Sequence, residues 1–316
     1  MNFLERVDIL KKCKFIYNPE SGKKFLFKNP FKNYESILNK YDYEVEIIAT
    51  ECKGHATKLV EESEYVDLLI VAGGDGTINE AITGNLRREK KLLLGIIPVG
   101  TMNDVGNMLG YGMNPDKNLE MMLNGVEKNI DICLINGKAF VYVACLGKFV
   151  NISYKTPREL KKQYGRLGYI IYGLKEVGGE LEFYDVNYKV DGIEYMGKYS
   201  FIFITNSTRI GGVSGIYPDV KLDDNMFEVA LINIKNKAQI LKSIQMLLTQ
   251  DLKDIPGITL YKTNNFEITF SESFNNSWCI DGEEYEYSGK TFKFSVDKSM
   301  NMLLPARNVK QLFEEK

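Results

Sequence analysis

Histidine is almost missing from this chain: its 316 residues include one, His55. The five cysteines, Cys13, Cys52, Cys133, Cys145 and Cys279, show no C-x-x-C spacing, so the supply of soft ligands argues against a zinc site. An excess of positive charge is also missing. Lys and Arg number 40 against 42 Asp and Glu, a net charge of −2, which excludes a globally basic nucleic-acid binder. No apolar run approaches the roughly 20 residues of a membrane span. Met1–Asp8 carries acids early and lacks the apolar stretch of a signal peptide. Repeats and low-complexity linkers are absent. Scattered thiols suit a reducing compartment, and the expectation is a soluble, cytoplasmic protein long enough for two domains.

Two common phosphate-binding patterns are missing as well. No segment supplies G-x-x-x-x-G-K-[ST], and the G-x-G-x-x-G pattern counted from Gly74 meets Asn79 at its third glycine position. What the chain has instead is Gly73-Gly74-Asp75-Gly76-Thr77-Ile78-Asn79-Glu80 behind the apolar, β-branched run Val66–Ala72. Such a run suits a strand buried on both faces. Thr77-x-x-Glu80 has capping-box spacing, so the stretch predicts a strand, a glycine turn and a helix start. Glycines let backbone N–H groups approach an anion, and a helix N-terminus adds orphan donors and partial positive charge. Asp75 within such a cradle calls for a cation between itself and a phosphate.

The same grammar recurs. Cys13–Tyr17 leads into Asn18-Pro19-Glu20-Ser21-Gly22-Lys23. A helix around Tyr34–Asn39 precedes the strand Tyr43–Ala49, which ends at Thr50. Gly54-His55-Ala56-Thr57 opens a helix through Glu62, with His55 in its first turn. Leu92–Ile97 runs into Pro98-Val-Gly100-Thr101-Met-Asn103-Asp104. Strands alternating with helices imply a doubly wound parallel sheet, whose ligands bind beyond the carboxyl ends of the strands. Four loops, after residues 17, 49, 72 and 97, place hydroxyl, amide and acidic groups there.

Near residue 130 the pattern changes. Asp131–Ile135, Asn136-Gly137 and Lys138–Cys145 predict a hairpin with a type I′ turn, and Tyr184–Val190, Asp191-Gly192 and Ile193–Met196 another. Strand-like runs follow at Ser200–Thr205, Phe227–Ile234, Asn265–Phe270, Ser277–Asp281 and Thr291–Val296, with helical insertions from Thr156 and over Ala238–Leu252. The fold expected is an α/β + β chain: a doubly wound α/β domain, 1–130 with 304–316, and an antiparallel β domain, 131–303. The tail Val309–Lys316 is expected to pack on the first domain.

These residues resemble the diacylglycerol kinase catalytic family, which includes soluble bacterial diacylglycerol kinases, related bacterial lipid kinases and sphingosine kinases. The likeness rests on N-P-x-S-G at Asn18–Gly22, Thr50 with Gly54-His55-Ala56, G-G-D-G-T-x-N-E at Gly73–Glu80 and G-T-x-N-D at Gly100–Asp104. Later motifs are S-Y-x-T-P at Ser153–Pro157, T-N-S at Thr205–Ser207, P-D-x-K-L-D-D at Pro218–Asp224 and D-G-E at Asp281–Glu283. The resemblance implies an ATP- and Mg²⁺-dependent lipid kinase that makes phosphatidic acid from diacylglycerol, with the doubly wound α/β domain binding the nucleotide and the antiparallel domain, a β-sandwich, binding the lipid substrate. It places nucleotide contacts on Asn18, Pro19, Glu20, Ser21, Gly22, Thr50, Gly73, Gly74, Asp75, Gly76, Thr77, Ile78, Asn79 and Thr101. Asp75 and Asp104 fall to the magnesium and phosphate network, and Glu283 becomes the base for the lipid hydroxyl. A second, structural magnesium would use the Asp224 carboxylate and the main-chain carbonyls of Lys221 and Met226. Asn225 stands where the family usually has glycine.

Asp281-Gly282-Glu283 also reads as a plain hairpin turn, since Asp191-Gly192-Ile193-Glu194 is a similar turn with no claim to function. The segment Lys155–Gly173, with Arg158, Lys161, Lys162 and Arg166, reads either as a basic helix for an anionic membrane surface or as a solvated helix on its own domain. Open alternatives are a kinase for a sphingoid base or phosphatidylglycerol, an NAD kinase, which shares G-G-D-G-T, and a catalytically silent nucleotide-binding regulator. A homodimer also stays open.

Overall fold

Four apolar runs that end in glycine, asparagine or threonine form one parallel sheet. In the computed structural model, which describes residues 10–21, 30–147, 181–210, 213–214, 217, 219–247, 252–271, 277–307 and 309–314, these are β1 (Lys11–Tyr17), β2 (Tyr43–Ala49), β3 (Leu68–Gly73) and β4 (Leu94–Pro98). Their order is β2-β1-β3-β4, parallel throughout. Every residue of β3 and β4 is buried, as expected of strands covered on both faces. Helices α1 (Pro30–Asn39) and α5 (Pro115–Leu123) pack together, as do α2 (His55–Glu61) and α3 (Asp75–Arg87); α4 (Asp104–Met108) follows β4. Met302 pairs in parallel with Leu94 at the β4 edge. The chain divides into two compact units, 1–129 with 300–309, and 130–299 with 310–316.

The second unit is antiparallel. Its strands are β5 (Val126–Ile135, beginning in the first unit), β6 (Lys138–Phe140), β7 (Val143–Leu146), β8 (Tyr184–Val190), β9 (Ile193–Tyr199), β10 (Phe201–Thr205), β11 (Arg209–Ile210), β12 (Val213–Ser214), β13 (Phe227–Ile232), β14 (Ile258–Thr263), β15 (Phe266–Phe270), β16 (Trp278–Ile280), β17 (Glu283–Tyr285) and β18 (Thr291–Leu304). One sheet runs β14-β13-β10-β7-β16-β17, and the other carries β18-β15-β8-β9. Alternate residues such as Tyr184, Val186, Tyr188 and Val190 of the second sheet meet Ile202, Ile204, Phe227 and Trp278 of the first in one core. Helix α6 (Lys237–Leu247) follows β13.

The Asx-Gly pairs of three hairpins turn as type I′, with φ of 49° and 81° at Asn136-Gly137, 49° and 84° at Asp191-Gly192, and 48° and 87° at Asp281-Gly282. Four expectations need correction. The run Lys138–Cys145 is two strands in different sheets, because the amides of residues 141–143 turn away to a side chain described below. Strand β14, Ile258–Thr263, was not foreseen; its exposure pattern barely alternates. The strand from Thr291 continues to Leu304. The tail from residue 310, with all of α7 (Val309–Leu312) but its first residue, belongs to the second unit, where Leu222 N–H donates to the Leu312 carbonyl at 2.7 Å and Glu314 N–H to Asp223 Oδ1 at 2.8 Å. Gly22, Ser153–Pro157, the basic segment Lys155–Gly173, Pro218 and the end of the Ala238–Leu252 helix lie outside the described residues.

Candidate functional site

In the order β2-β1-β3-β4 the winding reverses between β1 and β3, so the loops leaving these two strands part and open a crevice at their carboxyl ends. The residues on either side are tied across it. Asn18 Nδ2 donates to Thr77 Oγ1 at 3.0 Å, and the Gly74 amide donates to Ser21 Oγ at 3.2 Å. Asn18 Oδ1 takes the Glu20 amide at 2.9 Å, closing an Asx turn over Pro19. Thr50, buried at the end of β2, donates its amide to the Tyr17 carbonyl at 2.8 Å. Thr101 is exposed beside the last loop.

Helix α3 starts at Asp75 with Gly74 as its N-cap, three residues ahead of the capping-box reading. The Ile78 amide already donates to Gly74 O at 3.1 Å, which leaves the first-turn amides of Asp75, Gly76 and Thr77 without intrahelical acceptors. The turn itself is one residue, and its glycines serve close approach. A Cβ on Gly73 would stand 2.4 Å from Thr77 Cβ, and one on Gly100 would stand 2.6 Å from Gly74 Cα. Ile78 is fully buried, so its side chain belongs to the core. Asn79 accepts from Thr83 Oγ1 at 3.4 Å.

Glu80 does not cap its own helix. Its carboxylate takes the amides of Gly54 at 2.8 Å and Ala56 at 3.2 Å at the start of α2, and its carbonyl takes Thr57 Oγ1 at 2.9 Å. His55 Nδ1 accepts the Glu51 amide at 3.0 Å, a first-turn role as expected.

The structure joins Asp75 and Asp104. Asp75 Oδ2 accepts the Asp104 amide and Oδ1 the Val105 amide, each at 3.2 Å, and Asp104 is 1% exposed. Sequence reasoning passed over Asn103 within the same motif. It holds a left-handed φ of 51° as N-cap of α4, its Nδ2 donates to Gly100 O at 3.0 Å, and its buried Oδ1 accepts nothing. Two carboxylates and an orphan amide oxygen beside a helix N-terminus suit a hydrated magnesium with phosphates. Each carboxylate oxygen keeps lone pairs after taking an amide. Among the described residues no three His, Cys, Asp or Glu side chains form a metal cage.

In the second unit the D-G-E turn has divided duties. Asp281 is buried and its carboxylate collects the amides of Val141, Tyr142 and Val143 at 2.6, 3.0 and 3.1 Å. This clamp breaks the expected strand there. Thr205 of the T-N-S motif supports the same segment, its Oγ1 donating to the Tyr142 carbonyl at 2.6 Å. Glu283, opposite Ile280, is exposed. The fixed turn therefore presents a solvated carboxylate from a rigid base. Asp281 was read only as part of a motif, and nothing local marked its carboxylate as the acceptor for a segment 138 to 140 residues away.

At the other candidate, Asn225 adopts a φ of 62°, the left-handed conformation asparagine tolerates, and its amide donates to Asp131 Oδ2 at 2.5 Å. Asp224 Oδ1 takes the Met226 amide at 3.0 Å, and its Oδ2 pairs with Lys262 Nζ at 2.6 Å. Lys221 Nζ turns to the Gln311 carbonyl at 3.0 Å. Burial pushes the Asp131 carboxyl up to about 6 and Glu228 up to about 7, the latter against the pull of Lys262 3.8 Å away. An ammonium thus already stands at the carboxylate where a structural magnesium was expected.

A family model described as the diacylglycerol kinase catalytic domain matches residues 12–135. One described as the YegS C-terminal NAD kinase beta sandwich-like domain matches residues 153–297. A Bacillus subtilis (strain 168) protein named diacylglycerol kinase is 32% identical over 311 residues, covering 96% of this chain and 99% of that one. A Staphylococcus aureus (strain JH9) protein of the same name is 34% identical over 232 residues, 73% of each chain. A crystal structure of a diacylglycerol kinase from Bacillus anthracis str. Sterne superposes with a TM-score of 0.75 at 26% identity, covering 93% of this chain and 97% of that one.

Proposed function

Because the chain belongs to the diacylglycerol kinase catalytic family, we propose that it transfers the terminal phosphoryl group of ATP to the hydroxyl of diacylglycerol, giving phosphatidic acid. The observation that carries this reading is the knot at the strand switch: Asn18 to Thr77, Ser21 to Gly74, and Asp75 to the amides of Asp104 and Val105. Phosphoryl transfer proceeds through a loose transition state, so an enzyme contributes mainly position and charge stabilisation. Amides of Asp75, Gly76 and Thr77 would hold phosphate oxygens, with Asn18, Pro19, Glu20, Ser21, Gly22, Thr50, Gly73, Gly74, Asn79 and Thr101 around the nucleotide. Ile78 would shape the helix from the core side. Asp75 and Asp104 would hold one magnesium, which when bound neutralises the phosphates' charge. Glu283 would orient the lipid hydroxyl and accept its proton late in the transfer, while the lipid oxygen bonds to phosphorus and ADP leaves with the bridging oxygen.

The second magnesium, on Asp224 with the carbonyls of Lys221 and Met226, has a competitor. It must displace the Lys262 ammonium from Asp224 Oδ2. The work on a membrane lipid would take place peripherally, at an anionic bilayer surface. Among the described residues no helix is long and apolar enough to cross a membrane.

The test is product identification. Purified chain receives ATP labelled on its terminal phosphate together with diacylglycerol, a sphingoid base, phosphatidylglycerol and NAD, each in turn, with Asp75→Ala alongside. Label in phosphatidic acid, lost in the variant, is expected. Label in another product reassigns the acceptor, and no label from folded protein leaves a silent nucleotide binder.

A further inference from the structure

The strand order β2-β1-β3-β4 gives the crevice a direction. Asp75 and Asp104 follow β3 and β4, so the magnesium and the terminal phosphate of the proposed reaction belong on that side. The phosphate chain would lie over the start of α3, and the nucleoside would extend the other way, across β1 to β2. That is two strand spacings, about 10 Å. At the end of β2 stand residues 50–54, buried at Thr50 and exposed from Glu51 to Gly54.

This irregular segment is tied at both ends. The Thr50 amide donates to the Tyr17 carbonyl at 2.8 Å, and the Glu51 amide to His55 Nδ1 at 3.0 Å. At the far end two amides go to one carboxylate. Glu80 Oε1 takes Gly54 N–H at 2.8 Å and Oε2 takes Ala56 N–H at 3.2 Å. Helix α2 has seven residues, too few to hold a helix in water unaided, and α3 gives it its place. Gly84 lies one turn beyond Glu80 on the same face of α3. A Cβ on Gly84 would stand 2.5 Å from the Thr57 carbonyl oxygen, so main chain meets main chain there. Contact at Gly84 sets the separation of the two helices. The fork of Glu80 sets the rotation of α2 and the course of the residues before it.

We propose that Glu80 is a positioning residue for the nucleoside of ATP, holding residues 50–53 as the wall on which ribose and base rest. The proposal rests on ATP being the phosphoryl donor. Glu80 itself touches no substrate. The phosphate contacts belong to the first turn of α3 and the wall hangs from the second, so one rigid helix sets the distance between the two ends of the nucleotide. Losing the fork frees residues 50–54 to move but leaves the first turn of α3 in place, because the carboxylate caps α2 and not its own helix. The cost falls on the nucleoside and not on the phosphates.

The test is calorimetry on the full chain in Mg²⁺ buffer, with ADP and inorganic tripolyphosphate as separate probes. Glu80→Gln keeps the size and one acceptor oxygen, so one of the two amides loses its partner. ADP affinity should fall about tenfold, with tripolyphosphate affinity within about twofold of wild type. KM for ATP should rise by a similar factor with kcat little changed, a split that a general loss of stability would not give. Glu80→Asp, one methylene too short to reach both amides, should show the same split. Thr57→Val removes the bond from Thr57 Oγ1 to the Glu80 carbonyl and leaves the fork intact. It should lower the melting temperature and bind ADP like wild type. Equal losses for ADP and tripolyphosphate in the Glu80 variants, no loss for either probe, or the same ADP loss in Thr57→Val overturns the proposal. A wild type that binds neither probe overturns the nucleotide reading, and the proposal with it.

Discussion

Glu228 offers the best-defined perturbation in the molecule. Its side chain is buried on β13, its Oε2 accepts no hydrogen bond, and its nearest cation, Lys262, is 3.8 Å away and closer to Asp224. Burial raises its pKa from 4.5 to about 7; Lys262 lowers it, while Asp224 and Asp219 add to the rise. The unfolded chain returns the group to water and to its ordinary value. Between these two values the folded form keeps a proton that the unfolded form has lost. Stability is thus fully present below about pH 4.5 and falls as pH rises through about 7. The displacement corresponds to at most about 3 kcal/mol. Glu228→Gln keeps the shape and removes the charge. In magnesium-free buffer the variant should match wild type near pH 5 and melt higher near pH 8, at roughly 2–4 °C per kcal/mol. A difference that is the same at both pH values refutes the reasoning, because it would mean that the charge is not what destabilises the site.

Asp75→Ala should lower turnover by roughly 10²–10³ and stability by about 1 kcal/mol, since the amides of Asp104 and Val105 lose their acceptor; Asp75→Asn, which keeps an acceptor oxygen, should recover most of the stability and none of the rate in a paired kinetic and melting measurement. Glu283→Gln should cut lipid phosphorylation by roughly 10²–10⁴ with ATP affinity, read by calorimetry, within a few-fold of wild type; full activity would assign the proton to another acceptor. Lys262→Met should make the melting temperature respond to added Mg²⁺ more than wild type does, and Asp224→Asn in that background should abolish the response; equal responses in all three would remove Asp224 as a ligand.

The parallel sheet was legible because β3 and β4 are buried on both faces and so carry uninterrupted apolar runs before their loops. The three Asx-Gly turns were legible because only a few residue types accept two successive positive φ values. Side-chain destinations were not. Glu80 satisfies capping-box spacing yet serves another helix, because α3 starts at Asp75 and leaves Thr77 inside its first turn. The break after Phe140 was invisible, since it depends on a carboxylate 138 to 140 residues away along the chain. Asp224 looked like a metal ligand, and nothing local announced that Lys262, on the neighbouring strand, would meet it. Spacing reports the backbone well; long-range charge pairing is decided by the fold.

The carboxylate that Glu80 extends to α2 has a use for spectroscopy. Gly54 is held at a φ of 83° with its amide hydrogen-bonded to that carboxylate. Glycine amides stand apart in the nitrogen dimension of a correlation spectrum, and a charged acceptor moves the proton downfield. Glu80 is in the second turn of the helix whose first-turn amides would receive phosphate. A shift of that helix on nucleotide binding would stretch or shorten the Gly54 bond, with no lipid or turnover required. One resonance, from a residue that touches no ligand, would then report occupancy of the loop during a titration with ADP.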